Sequence, residues 1–550
     1  MKIKNIHIDI LIVLIGGLMF LPFLGGVHLF DWDEINFAES AREMIKTGDY
    51  LTVQVNYQPF WEKPPLFIWM QVISMKLFGI NEFAARFPNA ICGILTLLVL
   101  FHAGITLKDR RFGIWWVITY AGSILPFFYF KSGIIDPWFN LFIFLGVFFY
   151  MLYTLPGKYL HKNSMIFFAG LFIGLGVLTK GPVALLVFIL TGLVFSIFTR
   201  FRHFPRFSGI LLFLIVFSLV GGLWFILQWL NGNADIIANF IEYQVRLFKT
   251  RDAGHGGFFF YHFVVLFLGV FPASVFALPS FYVRKNEGEN DRRHHLWMLI
   301  LFWTVLILFT IVKTKIVHYS SMAYFPLTYL AAISIYRMIS GRLQLKSYVR
   351  ILYVALGILY FLIPIGMQFF IAFKQEIINA GWIRDDFAVG NLQALPGWTG
   401  WEFLIGLFPL MGVLIFIFLK NKSLTRRLIA PFVTTILFIY SVLLFLVPKI
   451  EKYTQHAAIE FYKDLQGKDV YVETLGFKSY AHLFYSRKYP PRNGQVPSRE
   501  FMLNGDIEKP AYFVMKNIKA EKYLNEYPYL EKIKEKNGFV FAIRKPGEND

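Results

Sequence analysis

The chain has 550 residues, of which 56% are apolar, 19% aromatic and only 16% charged, with a mean hydropathy of +0.53. A soluble globular chain carries about 25% charged residues, so this composition excludes an ordinary soluble domain and points to a membrane protein. The single cysteine, Cys92, excludes an intramolecular disulfide framework, and the net charge of +19 is accounted for below by loop topology rather than by a nucleic-acid partner.

A bilayer core of about 30 Å takes about 20 apolar residues as helix. Thirteen stretches read as spans: roughly 8–30, 83–103, 112–130, 137–154, 165–179, 181–199, 207–230, 258–283, 296–313, 317–339, 348–373, 401–420 and 426–447. The first is too long for a cleaved signal sequence, and no small-residue cleavage site precedes Asp31. After it comes a charged stretch, DWDEINFAESAREMIKTGDYLTVQVNYQPFWEKPPLFIWM (31–70). Within it Ile35, Ala38, Ala41, Met44 and Ile45 share one face of a helix expected over 33–47. LFIWMQVISMKLFG (66–79) is apolar but too short to cross, which predicts a second helix lying in the membrane interface, with Trp61 and Trp69 at headgroup depth. Between them the two prolines of EKPP pre-set φ and hold Glu62 and Lys63 in a rigid turn. Spans five and six are short and parted only by 179–182. Residues 451–550 return to soluble composition. There AAIEFYKDLQ reads as helix and YFVM and FVFAIRK as strands, which predicts a small α/β domain. No internal repeat is visible, which disfavours an inverted-repeat transporter.

With the N-terminus in the cytoplasm, the inner segments hold Lys2 and Lys4; Lys108, Arg110 and Arg111; Lys158 and Lys162; Arg200, Arg202 and Arg206; Arg284, Lys285, Arg292 and Arg293; Arg337, Arg342 and Lys346; and Lys420, Lys422, Arg426 and Arg427. Every inner loop is basic, as the positive-inside rule requires. The expected architecture is a polytopic α-helical membrane protein, residues 1–450, with its first charged loop and a C-terminal α/β domain, 451–550, on the external side.

Charges beside a membrane are usually solvated, and Glu39, Glu43, Lys46 and Asp49 are read in that way. Asp33, Glu34, Glu62 and Lys63 are read differently, because they adjoin apolar spans or prolines, where an unused charge costs most. In KSGIIDPWFN, Asp136 precedes Pro137 and reads equally as a helix cap or a functional carboxylate, with Lys131 as a candidate partner. Lys180 in LTKGP reads as a snorkelling lysine or a cavity cation. EYQVRLFKTRDAGHGGFFFYHF is basic through Arg246, Lys249 and Arg251, and its two histidines, His255 and His262, read first as surface residues. KTKIVHYSSMAYFPL places Lys313, Lys315, His318 and Tyr319 in an outer loop. Lysines there run against the positive-inside trend, and a phosphate is a reason for them.

The pattern of residues 31–70 is an Asp-Glu pair at the exit of span one, then A-R-E-M, G-D, and E-K-P-P before a hydrophobic stretch. It resembles the first external loop of the polyprenyl-phosphate-sugar-dependent membrane glycosyltransferases, most closely the aminoarabinose transferases of lipid A (ArnT-like) and more widely the protein O-mannosyltransferases. The resemblance implies the GT-C fold. It raises Asp136 as a second acidic site residue and Lys180 as a cavity lysine near phosphate, and it pairs Glu62 with His255 as ligands of a divalent metal (zinc, magnesium or manganese). His318 and Tyr319 match the family's K-x-x-H-Y element.

External carboxylates, external cations and a greasy cavity suit a lipid with an anionic head. Lys63 is the first phosphate candidate, helped by His318, Tyr319, Lys315, Arg246 and Lys180, with the lipid tail near residues 66–79. Asp33 is the first candidate base and Asp136 the second, with Glu34 beside them. A hydroxyl acceptor needs a base, whereas an ionised phosphate acceptor needs none. No nucleotide is required, because the energy lies in the sugar–phosphate bond, and single displacement inverts the anomeric centre. The acceptor is a glycolipid such as lipid A, a protein hydroxyl or an envelope glycan, and no nucleic acid takes part. A flippase for a lipid-linked anion is the rival reading and predicts charges deep in several spans. A non-catalytic scaffold predicts that the informative residues lie in 451–550.

Overall fold

The computed structural model describes residues 6–155, 161–249, 256–283, 287–419, 423–491 and 496–547. His255 and Arg251 fall outside them, as do Lys2, Lys4, Lys158, Arg284, Lys285, Lys420 and Lys422 of the basic inner loops.

Each of the thirteen expected spans contains helix, though not all as single rods or over their full expected length. Among the described residues seven helices are long and apolar enough to cross a membrane: Glu82–Leu107, Asp136–Thr154, Lys162–Lys180, Glu289–Ile311, Val317–Ile339, Ser347–Ala372 and Leu424–Lys452. Two expected spans are bent. Phe207–Gly221 turns by 53° into Leu223–Leu230, and Tyr261–Gly269 turns by 103° into Ala273–Ser280. The second bend falls at Pro272, which has no N–H to continue the ladder. Ile6–Phe20, Val183–Phe198 and Glu402–Phe418 are shorter apolar helices. The first span therefore ends at Phe20 rather than near residue 30, and residues 21–32 form a connecting segment. The chain is a multi-pass helical membrane protein.

The expected 33–47 helix is Asp33–Thr47, closed by Gly48 at φ +75°, where a Cβ would be strained. The 66–79 helix is Leu66–Phe78. The EKPP turn joins a two-residue hairpin, Gln54–Val55 with Gln58–Pro59, to it. Helix Glu82–Leu107 starts on an Asn81 cap, whose side chain accepts from Ala84 N–H at 2.9 Å.

The C-terminal unit has one four-stranded sheet in the order Tyr471–Leu475, Ala511–Lys516, Phe539–Arg544, Glu531–Lys536. The first pair is parallel and the other two are antiparallel. YFVM and FVFAIRK are its two central strands, and AAIEFYKDLQ begins in helix His456–Lys463. This unit is joined to the first loop by a shared core in which Ile35, Ala38, Val53 and Ile68 pack with Ile459, Phe461, Leu483 and Phe541.

That packing overturns the solvated reading of Glu39 and Glu43, which are both fully buried together with Arg42. Arg42 makes a bidentate pair with Glu39, 2.6 Å at each end, and donates to the Lys488 carbonyl at 2.9 Å. The stretch looks exposed in sequence because the surface that covers it lies more than 400 residues away. Lys46 remains exposed, as expected, and Asp49 is half-buried.

Candidate functional site

Three breaks in regular structure converge at the end of the helices that carries the first loop. Helix Asp136–Thr154 begins at Asp136, with Pro137 in its first turn, where a missing N–H costs nothing. Helix Lys162–Lys180 stops at Lys180, because Gly181 at φ +112° reverses the chain. The EKPP turn presents Lys63. Lys180 Nζ donates to Asp136 Oδ1, which ties the first two ends together, and lies 5.3 Å from the centroid of the Tyr319 ring. Lys63 Nζ lies 3.5 Å from Tyr243 Oη. His318 bridges two carboxylates: its Nε2 is 3.5 Å from Asp33 Oδ2 and 3.9 Å from Asp136 Oδ2.

Asp33, Lys63, Asp136, Lys180, His318 and Tyr319 thus form one constellation. Asp136 is 2% exposed, and its buried Oδ2 accepts no hydrogen bond from the described residues. Asp33 sits at the rim, with 41% of its side chain exposed. A single cleft is lined by Lys63, Asp136, Asn140, Lys180, Gln244 and Tyr319. The rest of its lining is apolar and includes Ile143, Val183, Val187, Leu308, Val312 and Met322. Burial pushes the Lys63 ammonium below its ordinary value. Glu62 pulls it back up, and the like charge of Lys180 adds to the fall.

The structure gives four expected residues other work. Glu34 is 5% exposed and saturated: Arg86 donates to it through Nε and Nη2 at 2.9 and 2.8 Å, and the N–H groups of Phe30 and Gly133 at 2.9 and 2.5 Å. Burial alone would raise its carboxyl, but the Arg86 charge and these bonds hold it below the usual value. It braces the loop and has no catalytic access. Lys131 does not pair with Asp136. Its Nζ donates to the Pro22 carbonyl at 2.6 Å, and burial pushes it down to about 7. Lys315 turns away from the cleft and donates to the Phe309 and Thr310 carbonyls, at 2.9 and 2.7 Å, as a cation on the last turn of helix Glu289–Ile311. Lys315→Ala is therefore expected to lower stability by about 1–3 kcal/mol and leave turnover within a few-fold, read by thermal melting beside a transfer assay. Arg246 is exposed and stacks on Tyr243, 5.2 Å from the ring centroid, the same tyrosine that stands beside Lys63.

The apolar wall of the cleft adds a second place for a lipid tail beside the expected groove. It runs between helices Asp136–Thr154, Val183–Phe198 and Glu289–Ile311, while a second apolar opening lies along the 66–79 helix, lined by Tyr50, Leu51, Trp69, Val72 and Ile73. His262 is buried, with Nδ1 3.1 Å from Ser320 Oγ, and is no surface histidine. Glu62 is half-buried and lines a second opening with Glu473, His482 and Arg499 of the C-terminal unit. Its expected partner His255 lies outside the described residues, so the metal pair is not placed.

Sequence reasoning missed Asn140 and Gln244. Asn140 follows Asp136 by four residues, hence on the same helix face, and donates to Ser321 Oγ at 2.7 Å. Gln244 lies in the EYQVR segment that was read only for its charges.

A family model described as dolichyl-phosphate-mannose-protein mannosyltransferase matches residues 62–222, the stretch that carries Glu62, Lys63, Asp136 and Lys180. An undecaprenyl phosphate-alpha-4-amino-4-deoxy-L-arabinose arabinosyl transferase of Pectobacterium carotovorum subsp. carotovorum is 29% identical over 342 residues, 60% of this chain and 59% of that protein. Its counterpart from Photorhabdus laumondii is 25% identical over 366 residues, 65% of each chain. The matches thus span less than two thirds of those relatives' length. The crystal structure of ArnT from Cupriavidus metallidurans bound to undecaprenyl phosphate superposes with a TM-score of 0.75 at 18% identity, covering 97% of both chains. The chain thus has the GT-C fold of ArnT along nearly its whole length, and in sequence it is similar over part of that length to the undecaprenyl phosphate-aminoarabinose arabinosyl transferases and to the mannosyltransferase family model.

Proposed function

We propose that the chain transfers a sugar from a polyprenyl-phosphate carrier to an acceptor at the membrane surface. The observation that carries this reading is one cleft that holds two lysines and a tyrosine together with an extensive apolar lining. A phosphate seated on Lys63 and Lys180 leaves its lipid tail against Ile143, Val183, Val187 and Leu308. Both ammonium groups then stabilise the phosphate as it departs. In the transfer step the C1–O bond to phosphate breaks, with the electron pair going to the phosphate oxygen. The acceptor oxygen forms the new bond to C1 from the opposite face, with inversion. If the acceptor is a hydroxyl, its proton passes to Asp33, the accessible carboxylate, which His318 orients. If the acceptor is an ionised phosphate, as on lipid A, no proton moves, and Asp33 and Asp136 position the sugar.

A pentosyl sugar of the aminoarabinose kind is the reading that the named relatives support, and the acceptor is a lipid A-like glycolipid, a protein hydroxyl or an envelope glycan. The site faces away from the cytoplasm, on the periplasmic side of a bacterial inner membrane. In support, Asp136 and Lys180 stand at the helix ends opposite those that carry Lys108 and Lys162. A divalent metal on Glu62 and His255 would supply Lewis-acid charge near phosphate. Among the described residues Glu62 belongs to no cluster of three metal-ligating groups, and no step above is routed through a metal.

The test is glycosyl transfer by the purified protein in detergent, from a panel of polyprenyl-phosphate sugars. Detergent permits no transport, so turnover there separates an enzyme from a flippase. Release of polyprenyl phosphate by the wild type, lost in folded Asp33→Asn, supports the reading. Tight lipid binding without turnover of any donor overturns it.

The lowered Lys63 ammonium has a consequence of definite sign. A lysine holds its charge below its own pKa and loses it as pH rises, so donor affinity in the wild type falls at alkaline pH before the ordinary lysine value of 10.5 is reached. In Lys63→Arg the guanidinium stays charged, and that alkaline limb moves to higher pH. The KM for donor measured against pH checks this, and identical limbs in both proteins would remove Lys63 from phosphate binding.

A further inference from the structure

The segment that follows the first helix meets the C-terminal unit at a group of side chains the transfer reaction does not use. His28 comes from the connecting segment 21–32. His456 and Glu460 are four residues apart on helix His456–Lys463, hence on one face. Each offers one ligand atom, and these atoms lie within 4.8 Å of one another. Glu451, 3% exposed, stands behind them: His28 Nδ1 and His456 Nδ1 are each 2.9 Å from one of its two oxygens. A carboxylate only accepts, so both rings donate through Nδ1, and the lone pair that a neutral ring can offer a ligand is on Nε2. His28 Nε2 lies 3.5 Å from Glu460 Oε1. A lone pair facing a carboxylate is repulsive unless a cation lies between them. The Lys463 ammonium supplies that cation, 3.5 Å from His28 Nε2 and 3.1 Å from Glu460 Oε1, on a side chain that is 43% exposed.

We propose that His28, His456 and Glu460 form a binding site for a divalent transition metal, zinc before others, which takes the place of the Lys463 ammonium and clamps the segment after the first helix to the C-terminal unit. Two imidazoles and one carboxylate suit zinc, whereas magnesium and calcium prefer all-oxygen sets. Bond lengths of about 2.0–2.2 Å put tetrahedral ligand atoms about 3.4 Å apart, so the side chains close in by roughly 1 Å and leave a fourth position for water. Glu451 is the carboxylate that metal-bound histidines require on their far nitrogen. The ligands come from residue 28 and from residues 456–460, so binding crosslinks two distant parts of the chain.

The experiment is zinc binding to the full-length chain in detergent after treatment with chelator, read by calorimetry and by the visible absorption of cobalt in the same site. The wild type is expected to bind one more zinc than His456→Ala or Glu460→Gln and to melt at a higher temperature with zinc than without. Glu451→Gln is expected to weaken binding about 10–100-fold. Lys463→Ala removes a competing charge and is expected to bind as tightly or tighter. Glu62→Gln is expected to leave this zinc in place, which separates it from any metal near the cleft. Unchanged stoichiometry in folded His456→Ala and Glu460→Gln, or loss of the zinc in Glu62→Gln, overturns the proposal.

Discussion

Lys63→Ala and Lys180→Ala are each expected to lower kcat for sugar transfer by about 10²–10³, the usual loss when one preorganised donor is removed from a developing anion. The two variants should differ in their side effects. Lys63 has Tyr243 beside it and no carboxylate within bonding distance among the pairs described, so its loss leaves no orphaned charge. Lys180 is the ion-pair partner of Asp136, which is 2% exposed. Lys180→Ala leaves that carboxylate buried beside His318 alone, and stability falls as well as rate. Lys180→Ala combined with Asp136→Asn restores the melting temperature without restoring turnover. Steady-state kinetics beside thermal melting separates these outcomes. A Lys63→Ala protein with wild-type kcat and KM would place the phosphate elsewhere and leave the cleft without its proposed ligand.

How much of this site was legible depended on how local each residue's work is. Lys63, Asp136 and Lys180 were legible because each sits at a proline or glycine break beside apolar chain, and a charge at such a place has few uses other than a site. His318 and Tyr319 came from a short element that the resemblance picked out. Asp33 and Glu34 look alike in sequence. The two are adjacent, and only the three-dimensional approach of Arg86 and of the Gly133 N–H shows that one is sealed and the other open. Lys315 looked like a phosphate ligand because lysine is unusual on that side, but the carbonyls of a helix end are an equally good partner for an ammonium. In the C-terminal unit the two buried strands announced themselves by apolar runs. The edge strand Glu531–Lys536, EKIKEK, did not, because all six residues are exposed and no alternation marks an inner face. Its charge suits an edge that must not pair with another chain.

The second large effect expected is on assembly of the two parts. Arg42 is fully buried between the first loop and the C-terminal unit, holding Glu39 on one side and the Lys488 carbonyl on the other, with Tyr57 Oη also donating to that carbonyl at 2.6 Å. Arg42→Met removes the only cation bonded to Glu39 among the described residues and is expected to cost about 3–5 kcal/mol, the penalty for orphaning a buried charge. The loss should appear as a lower melting temperature and as early proteolysis of 451–550. Glu43 makes a control with the opposite sign. Burial first, and then the charge of Glu39, push its carboxyl up to about 9, so it is neutral at pH 7 while its other oxygen accepts the Tyr57 N–H at 2.7 Å. The folded chain keeps this proton and the unfolded chain releases it near 4.5, so the contribution to stability falls as pH rises from about 4.5 to 9 and then levels off. Glu43→Gln keeps the shape and abolishes that slope. It is expected to match the wild type near pH 5 and to melt higher near pH 8. Melting curves at both pH values for the wild type, Arg42→Met and Glu43→Gln decide the matter. If Arg42→Met melts like the wild type, the charged staple contributes nothing, and the apolar core shared by Ile35, Ile459 and Phe541 alone holds the two parts together.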